Sequence, residues 1–186
     1  MGIDAGPHRA VFLDRDGVIN RAVVREGKPY PPDAVEDLEV LPGVPEALAR
    51  LRQAGFRLVV VTNQPDLARG TPQRAVVDAM HARLSAALPL DEFRVCDHDE
   101  GDGCRCRKPS PGMLESAARE QGLSLASSFM VGDRWRDVEA GRRAGCTTIF
   151  IDYGYAERRP EDPDVIVRSL PEAADWIMSR VGSEVS

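Results

Sequence analysis

The sequence predicts an α/β protein with a Rossmann-like, doubly wound parallel sheet, and three observations carry that prediction. Short apolar runs with the look of buried strands alternate with helix-like segments through most of the 186 residues. Three of these runs stop abruptly at polar groups: Asp14 after Val11-Phe12-Leu13, Thr62 after Leu58-Val59-Val60-Val61, and Asp133 after Phe129-Met130-Val131-Gly132. The carboxyl ends of the strands are where open α/β sheets bind ligands, so the polar residues fall where chemistry is expected.

The first strand ends in Asp14-Arg15-Asp16-Gly17, with Gly17 letting the backbone turn away. If the chain stays extended for two residues, Asp14 and Asp16 project to the same side. Two hard oxygens there suit Mg²⁺ together with a phosphate. An EF-hand calcium loop is excluded, because the positions that need Gly and Glu hold Ile19 and Arg25; an ordinary solvated turn is the bland alternative. Ile19 to Leu41, with Gly27, Pro29, Pro31 and Pro32, is expected to be a long irregular loop.

Pro45 begins a helix through Leu48, Leu51 and Ala54 that Gly55 stops. After the Leu58 strand, Thr71 and Pro72 look like the cap and first residue of a helix running to Leu88, where Pro89 ends it. His81 on that helix is expected to be a surface or packed residue without a catalytic role. Phe93-Arg94-Val95 is a short strand, and Ser110-Pro111 starts a helix through Leu114 and Ala117 that stops at Gly122. The helix after Asp133 carries Trp135, Val138 and Ala140 and closes at Gly145. Its Asp137 lies one turn beyond Asp133, near enough to support it or a cation beside it. Thr147 to Ile151 gives another strand, Val165 to Val167 an edge strand, and Pro171 to Val181 a final amphipathic helix. Trp135 and Trp176 are expected to be packing groups.

The length suits a single domain over residues 1–186. Lys and Arg total 24 against 30 Asp and Glu, a net charge of −6 that argues against a nucleic-acid or anionic-membrane binder. No run reaches the length of a membrane-spanning helix, and Met1 to Ala10 lacks the apolar core of a signal peptide, so a cytoplasmic protein is expected. Of the four cysteines, Cys96, Cys104 and Cys106 cluster with His98 while Cys146 stands apart. Disulfides within that cluster would leave an odd thiol. Three thiols and one imidazole instead make a closed tetrahedral set for a structural Zn²⁺ with no position left for water. Such an ion would staple the acidic loop 96–106 and fix the segment that delivers Arg107 and Lys108.

Asp14, Asp16, Thr62, Lys108 and Asp133 all fall at or just after strand ends or beside a helix start, where a parallel sheet would gather them. Their chemistry fits phosphoryl transfer: a carboxylate nucleophile, a second carboxylate as acid and base, and cations to offset phosphoryl charge. In this order Asp14-Arg15-Asp16-Gly17, Thr62-Asn63-Gln64, Arg107-Lys108-Pro109 and Gly132-Asp133 resemble the four motifs of the haloacid dehalogenase superfamily. The zinc-type loop directly before Arg107 resembles the subfamily of histidinol phosphatases and D-glycero-D-manno-heptose 1,7-bisphosphate phosphatases.

That resemblance implies Asp14 as nucleophile, Asp16 as acid and base, and Thr62 and Lys108 as phosphoryl stabilisers. It implies Asp14, the Asp16 carbonyl and Asp133 as Mg²⁺ ligands, and Cys96, His98, Cys104 and Cys106 as Zn²⁺ ligands. It further implies an open, capless site, in which Arg15, Asn63, Gln64, Arg69, Arg107 and Arg134 are expected to meet the substrate. The Ala68-Arg69-Gly70 ending and the Lys108 to Leu114 segment favour a heptose bisphosphate hydrolysed at its C7 phosphate, whereas the five residues between His98 and Cys104 are also typical of histidinol phosphatases. The expected partner is thus a small phosphorylated sugar, acted on by a monomer. A non-catalytic phosphate-binding module is the alternative of another class, and retention of both Asp14 and Asp16 argues against it.

Overall fold

The computed structural model describes residues 8–65, 67 and 73–182. In chain order its elements are β1 (Ala10–Leu13), β2 (Val23–Arg25), β3 (Lys28–Tyr30), α1 (Val44–Gln53), β4 (Arg57–Asn63), α2 (Gln73–Ala87), β5 (Glu92–Cys96), α3 (Gly112–Gln121), β6 (Phe129–Gly132), α4 (Trp135–Ala144), β7 (Thr147–Ile151), β8 (Val165–Val167) and α5 (Leu170–Gly182). Six strands form one parallel sheet in the order β5-β4-β1-β6-β7-β8. Winding reverses between β1 and β6. A crevice must therefore open beyond their carboxyl ends, because the connections leave in opposite directions.

Strand alternation divides the core in two. Val11 and Leu13 of β1, with Leu58 and Val60 of β4, pack against α1, α2 and α5 through Leu48, Leu51, Met80, Leu84, Ala173 and Ile177. Ala10 and Phe12, with Val59 and Val61, pack against α3 and α4 through Leu114, Ala117 and Ala140. Every residue of β1 is fully buried. Burying a side chain such as Phe12 contributes ~1.5–3 kcal/mol, so the strand that carries Asp14 is pinned from both faces.

The segment expected to be irregular contains a hairpin. Val23↔Tyr30, Val24↔Pro29 and Arg25↔Lys28 pair antiparallel around Glu26-Gly27, both with positive φ. A three-residue strand containing a proline carries little signal in sequence, which is why composition favours a loop there. Helix α1 begins at Val44, one residue before Pro45, and α3 begins at Gly112 after Ser110-Pro111. The expected cap at Thr71 and Pro72 lies outside the described residues. Trp176 packs edge-on against Phe129, with ring centroids 6.3 Å apart. Trp135 is half-buried, its ring packed beneath the guanidinium groups of Arg136 and Arg158.

Candidate active site

The ends of β1, β4 and β6 and the segment before α3 converge on an open cleft lined by Asp14, Asp16, Thr62, Asn63, Lys108, Arg134, Arg136 and Asp137, with Pro29, Tyr30 and Pro31 as one wall. Lys108 is buried at the floor, its Nζ donating to Asp14 Oδ1 at 2.8 Å and to the Val61 carbonyl at 2.7 Å. The same Nζ stands 2.7 Å from Asp137 Oδ1. All three of its protons are engaged, so what it offers an incoming anion is its charge and not a spare donor. Burial disfavours the ammonium, but Asp137 and Asp14 outweigh it and hold Lys108 above the ordinary lysine range.

Asp14, Asp133 and Asp137 bring one carboxylate oxygen each within 4.8 Å of one another. Burial pushes Asp14 up to about 6, against the pull of Lys108 and with the push of Asp137. Burial, then Asp14 and Asp137, also holds Asp133 well above the ordinary carboxylate range. Neither oxygen of Asp133 receives a hydrogen bond of normal geometry, although the Tyr155 hydroxyl is close enough for each to perturb the other. Three buried carboxylates facing one ammonium leave two negative charges uncompensated, and a hard divalent cation is the partner such a set of oxygens fits. Two glycines make the approach feasible. A Cβ on Gly17 would meet Asp133 Oδ2 at 1.9 Å, and one on Gly132 would meet the Asp137 Cβ at 2.0 Å.

Asp137 also caps α4, since its Oδ2 accepts from the Arg134 backbone N–H at 3.0 Å. Sequence spacing brought Asp137 near Asp133, and the structure makes it a full member of the cluster. The side chain of Asp16 is not one. It accepts from Nε and Nη2 of Arg15 at 2.9–3.2 Å, from Asn20 Nδ2 at 2.9 Å and from Gln64 Nε2 at 3.1 Å.

Several residues expected to touch substrate do other work. Arg15 is fully buried behind Asp16, with Nη1 3.1 Å from His81 Nε2. Gln64, 4 % exposed, bridges Asp16 and Thr62, donating to Thr62 Oγ1 at 3.0 Å. With its oxygen occupied as acceptor, the Thr62 hydroxyl is free to donate elsewhere. Asn63 clamps the backbone of Lys108, donating to its carbonyl and accepting from its N–H, both at 3.0 Å. Arg134 does line the cleft, its guanidinium forked onto Glu157. Arg107 donates to the His98 carbonyl at 3.1 Å and lines the neighbouring groove with Cys104, Trp135 and Arg136. Arg69 lies outside the described residues. Arg136, paired with Glu100, and the Tyr30 wall were missed. A lone basic residue on a helix and a tyrosine in a proline-rich loop give no motif.

Cys96 at the end of β5 lies 3.7 Å from Cys104 and 3.1 Å from Cys106 by Sγ···Sγ, and His98 Nδ1 lies 3.6 Å from Cys96 Sγ and 3.3 Å from Cys106 Sγ. Zn–S bonds of about 2.3 Å in a tetrahedron set ligand edges of about 3.8 Å. Soft ligands at nearly that spacing could hold Zn²⁺.

A HAD-hydrolase-like family model matches residues 105–173. The D-glycero-beta-D-manno-heptose-1,7-bisphosphate 7-phosphatase of Bordetella bronchiseptica is 39% identical over 78% of this chain and 82% of its own. The D-glycero-D-manno-heptose-1,7-bisphosphate 7-phosphatase of Thermosynechococcus vestitus is 35% identical over 94% and 98%. Among solved structures, the B. bronchiseptica D,D-heptose 1,7-bisphosphate phosphatase complexed with magnesium and phosphate superposes with a TM-score of 0.71 at 32% identity, covering 92% of this chain and 99% of that one. A relationship that runs through both halves of the sheet at this level of identity fixes the lineage: the chain belongs to the haloacid dehalogenase-like phosphatases, in the family of these heptose bisphosphate phosphatases.

Proposed function

We propose that this phosphomonoesterase removes the C7 phosphate of a heptose 1,7-bisphosphate through an aspartyl-phosphate intermediate. The observation that carries the mechanism is the pairing of Asp14 Oδ1 with Lys108 Nζ at 2.8 Å, beside the buried Asp133 and at the sheet's winding reversal. Asp14 attacks phosphorus as the bond to the sugar oxygen breaks, and Asp16 gives that oxygen a proton. Water then attacks the aspartyl phosphate, Asp16 takes the water's proton, and the bond from phosphorus to Asp14 breaks. Thr62 donates to a phosphoryl oxygen while Lys108 offsets its charge. Asp14, Asp133 and the Asp16 carbonyl would hold Mg²⁺, with Asp137 adjoining; when bound, the ion neutralises the acids and polarises the phosphoryl group. Cys96, His98, Cys104 and Cys106 would hold Zn²⁺, and that ion would fix the loop ahead of Lys108.

The names of the relatives support the heptose reading. Arg107 and Arg134 supply positive charge for the second phosphate. The test is phosphate release with Mg²⁺ from both anomers of heptose 1,7-bisphosphate and from histidinol phosphate, with Asp14→Asn as control. A kcat/KM preference of ~100-fold for one heptose anomer is about 2.7 kcal/mol of transition-state discrimination and would establish the substrate. Preference for histidinol phosphate would replace it, and full activity in Asp14→Asn would remove the covalent mechanism.

A further inference from the structure

The fully buried Arg15 raises a question that its position between two active-site acids does not answer. Its side chain runs away from the cleft. Nε and Nη2 of this one guanidinium reach both oxygens of Asp16, whereas Asn20 and Gln64 each hold one. That fork is only as rigid as its far end. Nη1 meets the Nε2 of His81 at 3.1 Å, and the His81 ring stacks on Phe93 of β5 with centroids 4.4 Å apart and planes 25° from parallel.

We propose that His81 is a positioning residue for the acid–base carboxylate, acting through Arg15 to hold Asp16 in its working orientation. The proposal rests on the role given to Asp16 above. Because Arg15 can only donate, Nε2 must be the acceptor and the ring must be neutral. Burial, reinforced by the Arg15 charge, pushes His81 down to about 4, so it remains an acceptor across the neutral range and its protonation is no part of the device. A stacked, neutral imidazole thus ties the guanidinium to the edge of the sheet, and the guanidinium ties down a carboxylate that must hand over a proton and then take one back.

The experiment compares His81→Phe, which keeps a ring on Phe93 and deletes the acceptor, with His81→Gln, which restores an acceptor within reach of Nη1. Both are assayed in the full chain with Mg²⁺ and p-nitrophenyl phosphate. Its phenolate leaves without needing a proton, so forming the aspartyl phosphate bypasses Asp16 while hydrolysing it does not. His81→Phe should release a burst of about one nitrophenolate per site, followed by a steady state ~10–100-fold below the unmodified enzyme, with KM unchanged or lowered. His81→Gln should recover to within about threefold. A steady-state rate in His81→Phe within about twofold of the parent, or an equal loss in both variants with no burst, would overturn the proposal. Should His81→Phe not fold, His81→Asn, too short to reach Nη1, takes its place with the same two outcomes. In an Arg15→Lys background, where the fork is already lost, His81→Phe should cost less than about twofold, and a full multiplicative loss would also overturn it. Asp14→Asn assayed alongside separates the two layers: its inactivity keeps the covalent mechanism whatever His81 does, whereas its activity would remove that mechanism and the His81 proposal with it.

Discussion

Replacing Lys108 by Met keeps much of its volume and removes the one ammonium among Asp14, Asp133 and Asp137. Both partners, at 2.8 and 2.7 Å, are buried with it. Breaking a buried pair by deleting one member costs about 3–5 kcal/mol, because the orphaned charge stays desolvated. For a chain of this size that lowers Tm by about 6–20 °C at pH 7.5 without added Mg²⁺. The penalty has a sign in pH. Asp14, raised to about 6 from 3.8, contributes stability that is complete below its unfolded value and is lost as pH rises through 6. Without Lys108 that carboxyl rises further and titrates later, so at pH 5.5 both proteins carry it mostly protonated. The gap between them should therefore narrow there, and added Mg²⁺ should narrow it at pH 7.5. Thermal melts by circular dichroism at the two pH values, with and without Mg²⁺, test this, and kcat should fall by ~10²–10³-fold. A gap below about 1 kcal/mol at pH 7.5, or one that widens at pH 5.5, would refute the charge argument.

Gly17→Ala places a methyl on Asp133 at a left-handed residue, φ +89°, and should cost about 2 kcal/mol or more; urea melts measure the loss, and Mg²⁺ affinity by calorimetry should weaken with it. Purified protein should contain about one Zn per chain, and removing it should lower Tm and expose Cys104 and Cys106 to a thiol reagent ahead of the buried Cys96 and Cys146. Arg134→Lys should raise KM for a bisphosphate about 5–10-fold with little change in kcat, since a point charge cannot replace the planar fork. Glu157→Gln, which frees that fork, should move KM the opposite way in the same steady-state assay.

The fold was legible because β1, β4 and β6 are buried on both faces and end in polar groups, a pattern set by local sequence alone. The acids Asp14 and Asp133 were visible for the same reason. What the sequence hides is direction: whether a side chain next to a catalytic one faces the cleft or the core. Arg15 and Gln64 sit inside the motifs yet support them from behind, and only the turn at Gly17 and the placement of α2 decide that. The hairpin was hidden for another reason, since three-residue strands holding Pro29 have almost no periodicity to detect.

Asp137 caps α4 with one oxygen and neutralises Lys108 with the other. Asn there would keep the cap and forfeit the charge, whereas Glu would keep the charge on a stem one carbon too long for a pocket that Gly132 already has to yield space to. Each of these two exchanges gives up either the charge or the fit. Drift is thereby closed off unless Lys108 changes with it, so the pair should be inherited as a unit: a lineage that abandons one should have abandoned the other, and with it the chemistry.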